Sequence, residues 1–189
     1  MVNFIYVFRH GQSTYNRDGR FTGWKDAKLT KKGKDNAKTI AKKLKNKKID
    51  VAVHTKLSRS KETLKIVLKS HPECKKILED NRMIERSYGK ISGKTHEAII
   101  KKYGKEQFEK WHRGFNERPP KGESFADVEK RVKNFVRWLK IYVKKNKVNI
   151  AISAHGNSIR LFRKIIESLS IKKTCEINIP YDKVFVYKF

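Results

Sequence analysis

Two short apolar runs, Phe4–Phe8 and Val148–Ser153, constrain this chain more than any other feature. Neither alternates strictly between apolar and polar residues. Each therefore reads as a strand covered on both faces, the kind found inside a parallel sheet. Each is followed by a His-Gly pair: Arg9-His10-Gly11 after the first, His155-Gly156 after the second. A third short strand is expected over Asp50–Thr55.

Helical periodicity fills the intervals. Thr30 is placed as an N-cap, with Ala37, Ile40, Ala41 and Leu44 on one face. Ser58 or Ser60 opens a helix that turns Leu64, Val67 and Leu68 inward and ends at His71-Pro72. Strand, helix, strand, helix implies a parallel sheet with crossover helices. From Met83 to Pro120 glycines and aromatics become frequent, and two short helices are expected, Thr95–Tyr103 and Glu106–Phe115. Ser124 with Asp127 three residues on resembles a capping box. The helix it opens carries Phe125, Val128, Val132, Phe135, Val136, Leu139 and Val143 on one face. A last long helix buries Ile159, Phe162, Ile165, Ile166 and Leu169, and Glu176–Ile179 with Val184–Tyr187 reads as a hairpin. The expected fold is a three-layer α/β/α sandwich with a mostly parallel central sheet and a C-terminal antiparallel hairpin. It forms one domain over 1–189, with a small helical lobe inserted at 83–120 over the C-terminal edge of the strands.

Lys+Arg number 47 against 19 for Asp+Glu, so the formal net charge is +28. Such a field attracts anions: nucleic acid, acidic lipid or small phosphorylated metabolites. The lysines are scattered over nearly every amphipathic segment, which reads as a solvated surface; no recognition motif marks a specific nucleic-acid binder. High-temperature adaptation fits less well, because its signal is Lys and Glu together. Cys74 and Cys175 stand far apart with no second pair, so neither a disulfide framework nor a zinc site is indicated. The first apolar run is too short to span a bilayer and no other stretch approaches that length, so a soluble, cytoplasmic protein with no membrane association is expected.

Ligands of a parallel sheet bind beyond the carboxyl ends of its strands, so His10 and His155 are expected in one cleft. The glycine after each histidine allows the backbone to approach a ligand. An imidazole can attack phosphorus when its reactive nitrogen is unprotonated and the other is held by a hydrogen bond. A phosphoryl group in transit needs positioning and cations. Arg9 adjoins His10, and Arg59 follows the second strand at the same sheet edge; a guanidinium fork pairs with two phosphate oxygens. A general acid is also required; composition does not single one out, and the candidate, Glu85 in Ile84-Glu85-Arg86, rests on the resemblance described next.

Arg9-His10-Gly11-Gln12-Ser13-Thr14-Tyr15-Asn16 resembles the signature of the histidine phosphatase superfamily. Within it the chain is similar, over nearly its whole length, to the cofactor-dependent phosphoglycerate mutases. The matching tracts are Arg20-Phe21-Thr22-Gly23-Trp24, Glu85-Arg86-Ser87-Tyr88-Gly89, Trp111-His112-Arg113, Pro119-Pro120-Lys121-Gly122-Glu123-Ser124, His155-Gly156-Asn157-Ser158-Ile159-Arg160 and Ile177-Asn178-Ile179-Pro180. The resemblance implies interconversion of 3-phosphoglycerate and 2-phosphoglycerate in glycolysis and gluconeogenesis, through a phosphohistidine at His10. Priming is by 2,3-bisphosphoglycerate, and no metal is needed. Arg9, Arg59 and His155 would hold the transferring group, assisted by Asn16, Gly156 and Asn157. Glu85 would donate and accept the proton. Thr22, Gly23, Tyr88 and Arg113 would hold the rest of a small phosphorylated sugar acid. The family includes monomers, dimers and tetramers, so a homodimer is one assembly it allows.

Two positions depart from the family. His96 stands where such mutases carry a substrate-binding lysine, in a tract more like the broad-specificity phosphatases. His112 stands where they carry the first of two arginines. Both substitutions replace a permanent cation at the substrate-binding wall with a group mostly neutral near pH 7. Each lost charge-assisted contact costs about 1.5–3 kcal/mol of binding if nothing replaces it. The alternative reading is therefore a broad-specificity phosphomonoesterase that uses the same histidine.

Overall fold

The first apolar run becomes strand β1 (Phe4–Arg9) in the computed structural model, which describes residues 2–189. It is apolar throughout because helices cover both its faces. Ile5 and Val7 join a core built with helices α6 (Phe125–Asn146) and α7 (Gly156–Glu167). Tyr6 and Phe8 join a second core under α2 (Lys31–Leu44) and α3 (Ser58–Leu68). Strands β2 (Val51–His54) and β4 (Ile150–Ala154) divide in the same way, with Val53 and Ile152 on one side and Ala52 and Ala151 on the other. Burying a Phe or Ile on either face contributes about 1.5–3 kcal/mol. The result is a helix–sheet–helix sandwich.

With β3 (Lys76–Glu79) and β5 (Val184–Lys188) the sheet runs β3-β2-β4-β1-β5. All neighbours are parallel except β5, which pairs antiparallel to β1. Strand β3 has no counterpart in the sequence reading. It is an edge strand of four residues, with Ile77 left exposed, so it carries no burial pattern. The expected hairpin is half corrected. Glu176 closes α8 (Ile171–Glu176), and Ile177–Pro180 forms no strand. The carbonyls of Ile177 and Ile179 accept from Arg160 and Arg9 and are not free for a ladder. Only β5 is a strand, and its partner is β1.

The inserted lobe contains α4 (His96–Tyr103) and α5 (Lys105–Arg113), close to the expected spans. Its own small core is Phe21, Tyr88, Ile91, Ile99, Phe108 and Trp111. Phe21 comes from the loop after β1, and backbone bonds zip that loop to the lobe: Phe21 N to Lys94 O at 3.0 Å, Gly93 N to Phe21 O at 2.7 Å and His96 N to Gly19 O at 2.8 Å. All six lysines of α2 are exposed, as a solvated face requires. No helix among the described residues is long and apolar enough to cross a membrane.

Helix α6 starts at the expected capping box. Ser124 Oγ accepts from Asp127 N at 3.1 Å, and Asp127 Oδ2 accepts from Ser124 N at 2.9 Å. Arg118 grips the same carboxylate with two bonds of 2.6 Å and holds its pKa below the usual carboxylate range. Ser124→Ala should lower stability by about 1 kcal/mol in urea unfolding. A depressed carboxylate pKa adds stability above the unfolded-state value, about 4, and that stability fades as pH falls below it. Asp127→Asn should therefore flatten the acid limb of the stability profile and leave its slope near neutrality unchanged.

Candidate active site

The β1–β4 register pairs Arg9 with Ala154, so the next residue on each strand, His10 and His155, stand side by side. The ladder continues one step further, with His10 N donating to Ala154 O at 3.0 Å, and the ring centroids lie 4.9 Å apart. Beyond β4 comes β2, whose next residue, Thr55, places Oγ1 2.8 Å from His155 Nε2. Thr55, His155 and His10 thus follow the strand order β2-β4-β1.

His10 Nδ1 lies 2.7 Å from the carbonyl of Gly11. A carbonyl can only accept, so Nδ1 carries the hydrogen and Nε2 keeps its lone pair. Arg59 Nε donates to that lone pair at 3.2 Å, while its other nitrogens donate to Lys25 O at 2.9 Å and Gly23 O at 2.8 Å. Burial first, then Arg59 and Arg9, pushes the His10 pKa well below the ordinary histidine value, against the pull of the Gly11 carbonyl. The ring is neutral at pH 7 and can attack an electrophile. Burial and the same arginines, with His10, also hold His155 neutral.

Gly11 does not serve the ligand as expected. A Cβ there would meet Gly33 O at 2.0 Å, and one on Gly33 would meet Gln12 O at 2.1 Å. The two glycines let the histidine loop lie directly on the first turn of α2. Gly156 does line the cleft. Asn16 also lines it, with Oδ1 held by Ser13 N at 3.1 Å, so only its Nδ2 is without a protein partner.

Glu85 is buried on the same wall. Its Oε1 accepts from Arg86 N at 2.7 Å and Asn157 N at 3.3 Å, and Oε2 makes no hydrogen bond among the described residues. Its backbone is clamped: Trp24 Nε1 and Arg131 Nη2 donate to Glu85 O at 2.6 and 3.1 Å, and Arg131 also holds Arg82 O, Ile84 O and the Glu123 carboxylate. Asn157 Nδ2 donates to Tyr88 Oη at 3.1 Å, and its Oδ1 accepts from Arg160 Nη1 at 2.7 Å.

The cleft measures about 220 Å³, below the range of drug-sized pockets and suited to a small metabolite. Arg9, His10, Asn16, Thr22, Gly23, Arg59, Glu85, Tyr88, His96, His112, Arg113, Gly156 and Asn157 all line it. His155 does not; it stands behind, against His10. Arg20, Arg160, Asn178 and Tyr181 also line the cleft without having been assigned a role from the sequence. Arg160 was recoverable, since it follows Gly156 by four residues and so shares its helix face. Nothing in the chain announces Tyr181, whose ring lies 4.1 Å under the Arg9 guanidinium. The cleft holds five guanidiniums, of Arg9, Arg20, Arg59, Arg113 and Arg160, against the one carboxylate of Glu85. Four buried side-chain polar atoms lack a partner among the described residues, and two of them, Arg9 Nε and Thr22 Oγ1, belong to residues that line the cleft. Buried polar atoms are normally paired, so these two, among the guanidiniums, fit a place for an anionic ligand.

A neutral imidazole ringed by guanidiniums at the strand ends of an α/β sandwich is a setting suited to a phosphate group. The model of the histidine phosphatase superfamily (branch 1) matches residues 5–189, and the chain belongs to that superfamily. A 2,3-bisphosphoglycerate-dependent phosphoglycerate mutase of Parvibaculum lavamentivorans is 35% identical over 192 residues, covering 100% of this chain and 91% of its own. Among solved structures, Bacillus stearothermophilus YhfR superposes with a TM-score of 0.85 at 25% identity, over 97% of this chain and 90% of its own. The alpha-ribazole phosphatase from Shigella flexneri shares the fold, with a TM-score of 0.83 at 20% identity over 97% and 89% of the two chains.

Side-chain NMR at about pH 6 should find His10 as a neutral ring with its hydrogen on Nδ1. Arg59→Ala should move its pKa back toward the ordinary value. A doubly protonated His10 in the wild type at that pH would contradict the assignment.

Proposed function

We propose that the protein is a phosphoglycerate mutase that interconverts 3-phosphoglycerate and 2-phosphoglycerate through a phosphohistidine at His10. The observation that carries this reading is the lone pair on His10 Nε2, held at the end of a cleft in which five guanidiniums meet one carboxylate. One phosphate leaves much of that charge unbalanced; a second anionic group on the ligand offsets more of it. The names of the curated relatives point the same way.

His10 Nε2 attacks phosphorus in line as the leaving oxygen departs. Arg9 and Arg59 pair with the equatorial oxygens, Asn16, the Gly156 amide at the start of α7 and the Asn157 side chain complete the cradle, and His155 backs His10 from behind. Glu85 gives its proton to the leaving oxygen and later takes one from the incoming hydroxyl. Oε1, fixed by two backbone amides, sets its orientation; Oε2 is free for the transfer. Thr22, Gly23, Tyr88, Arg113, His96 and His112 hold the rest of the substrate. The unpartnered Arg9 Nε and Thr22 Oγ1, with the guanidiniums of the cleft, fit a bisphosphate bound there. When bound, 2,3-bisphosphoglycerate supplies the phosphoryl group that primes His10.

A second reading is a phosphomonoesterase. It is favoured by the neutral imidazoles at 96 and 112, which grip a second anionic group less firmly than permanent cations do. A coupled assay on 3-phosphoglycerate, run with and without bisphosphoglycerate beside a phosphate-release assay, separates the two. The mutase reading expects isomer formation stimulated by the bisphosphate; free phosphate from varied esters without isomerisation would overturn it. His10→Ala should abolish both activities while the far-UV circular dichroism is retained. Glu85→Gln should lower kcat by at least about a hundredfold with little change in KM. A change confined to KM would make Glu85 a binding residue.

A further inference from the structure

His96 and His112 line the cleft with ring centroids 5.3 Å apart. No ring nitrogen of either is hydrogen-bonded to a described residue, so all are open to a ligand or water. Phe21 and Phe108 pack against both rings and fix their positions without engaging a nitrogen. Side chains this specifically placed, in a cleft and with no polar partner, are set for a contact the protein itself does not make.

The charges around the pair oppose protonation while the cleft is empty. Burial and Arg113 of α5 push His96 down, with Glu109 of the same helix pulling weakly the other way. Burial, Arg113, His96, Arg160 of α7 and Arg86 push His112 down to about 3. An anion reverses the sign. One negative charge about 5 Å from an imidazole raises its pKa by about two at an effective dielectric near 20, and it also neutralises the arginines that held the pKa down.

We propose that His96 and His112 are specificity residues that take up a proton with the ligand: a molecule with two anionic groups, entering the cleft, draws one proton from water onto the pair. The pair becomes cationic only when such a ligand is present. A ligand whose single anionic group sits at His10 does not charge it. This inference rests on the reading that the cleft accepts a doubly anionic ligand, and it refines how that ligand is selected. Between the low pKa of the empty cleft and the raised pKa of the filled one, binding tightens as pH falls.

Ethane-1,2-disulfonate is a suitable probe, because it remains a dianion across the neutral range and carries no phosphoryl group. Calorimetric titration of the whole protein at about pH 6.5, in two buffers of different ionisation enthalpy, reads the proton count directly. Wild type should take up between about a half and one proton per ligand, with affinity rising about three- to tenfold for each pH unit lowered. The double variant His96→Phe with His112→Phe, its fold checked by circular dichroism, should bind more weakly and with no proton uptake. His96→Lys should restore affinity and make it independent of pH. Absence of uptake in wild type, equal uptake in the double Phe variant, or no binding at millimolar probe would each overturn the proposal. A protein that takes up the proton yet forms no phosphoglycerate isomer would leave this inference standing and remove the mutase reading.

Discussion

Everything in the cleft follows from the register of two neighbouring strands. Pairing Arg9 with Ala154 sets two imidazoles at adjacent strand ends, although they are 145 positions apart in the chain. A shift of one residue on either strand would turn one ring to the other face of the sheet. Cores on both faces prevent such a slip, because Ile5 and Val7 would then exchange places with Tyr6 and Phe8. The hydrophobic packing of β1 and β4 is therefore also what positions the reactive groups.

Gathering five guanidiniums around one carboxylate, two of them buried, is electrostatically adverse unless something offsets it. Backbone carbonyls do part of this. Arg59 is fully buried but donates to Lys25 O and Gly23 O, and Arg160 donates to Ile177 O. Burial still lowers both to about 10, which leaves them charged at pH 7. Burial first, and then the positive potential of Arg59 and Arg9, keeps the histidines neutral. One arrangement thus leaves an imidazole lone pair beside a seat for an anion. The surface lysines belong to a different regime, exposed and screened by salt, and do not shape this balance.

The sandwich, the order of its main elements and the converging histidines were legible because they rest on strong local patterns. These are uninterrupted apolar runs, helical stripes and a capping box at Ser124. The edge strand β3 was not, since four largely exposed residues leave no trace of periodicity. The tail was misread for a related reason. Ile177-Asn178-Ile179 alternates like a strand, but its carbonyls pair with arginines distant in sequence, and alternation cannot report that. Gly11 was assigned to the ligand on position alone, whereas its partner is the backbone of Gly33. Glu85 was found through resemblance, as composition does not separate a buried glutamate from a solvated one. The clamp from Arg131 and Glu123 that fixes it was not visible at all.

The irregular stretch before β5 ties the cleft to the far end of the polypeptide. Two of its carbonyls anchor the guanidiniums of Arg9 and Arg160, and Tyr181 lies flat beneath the first. Strand β5 in turn zips that stretch onto β1, next to the histidine. The last residues of the chain therefore act as a hasp. Loosening them would free two cations to swing toward water, and the part of the field that Arg9 imposes on both imidazoles would relax with neither histidine altered.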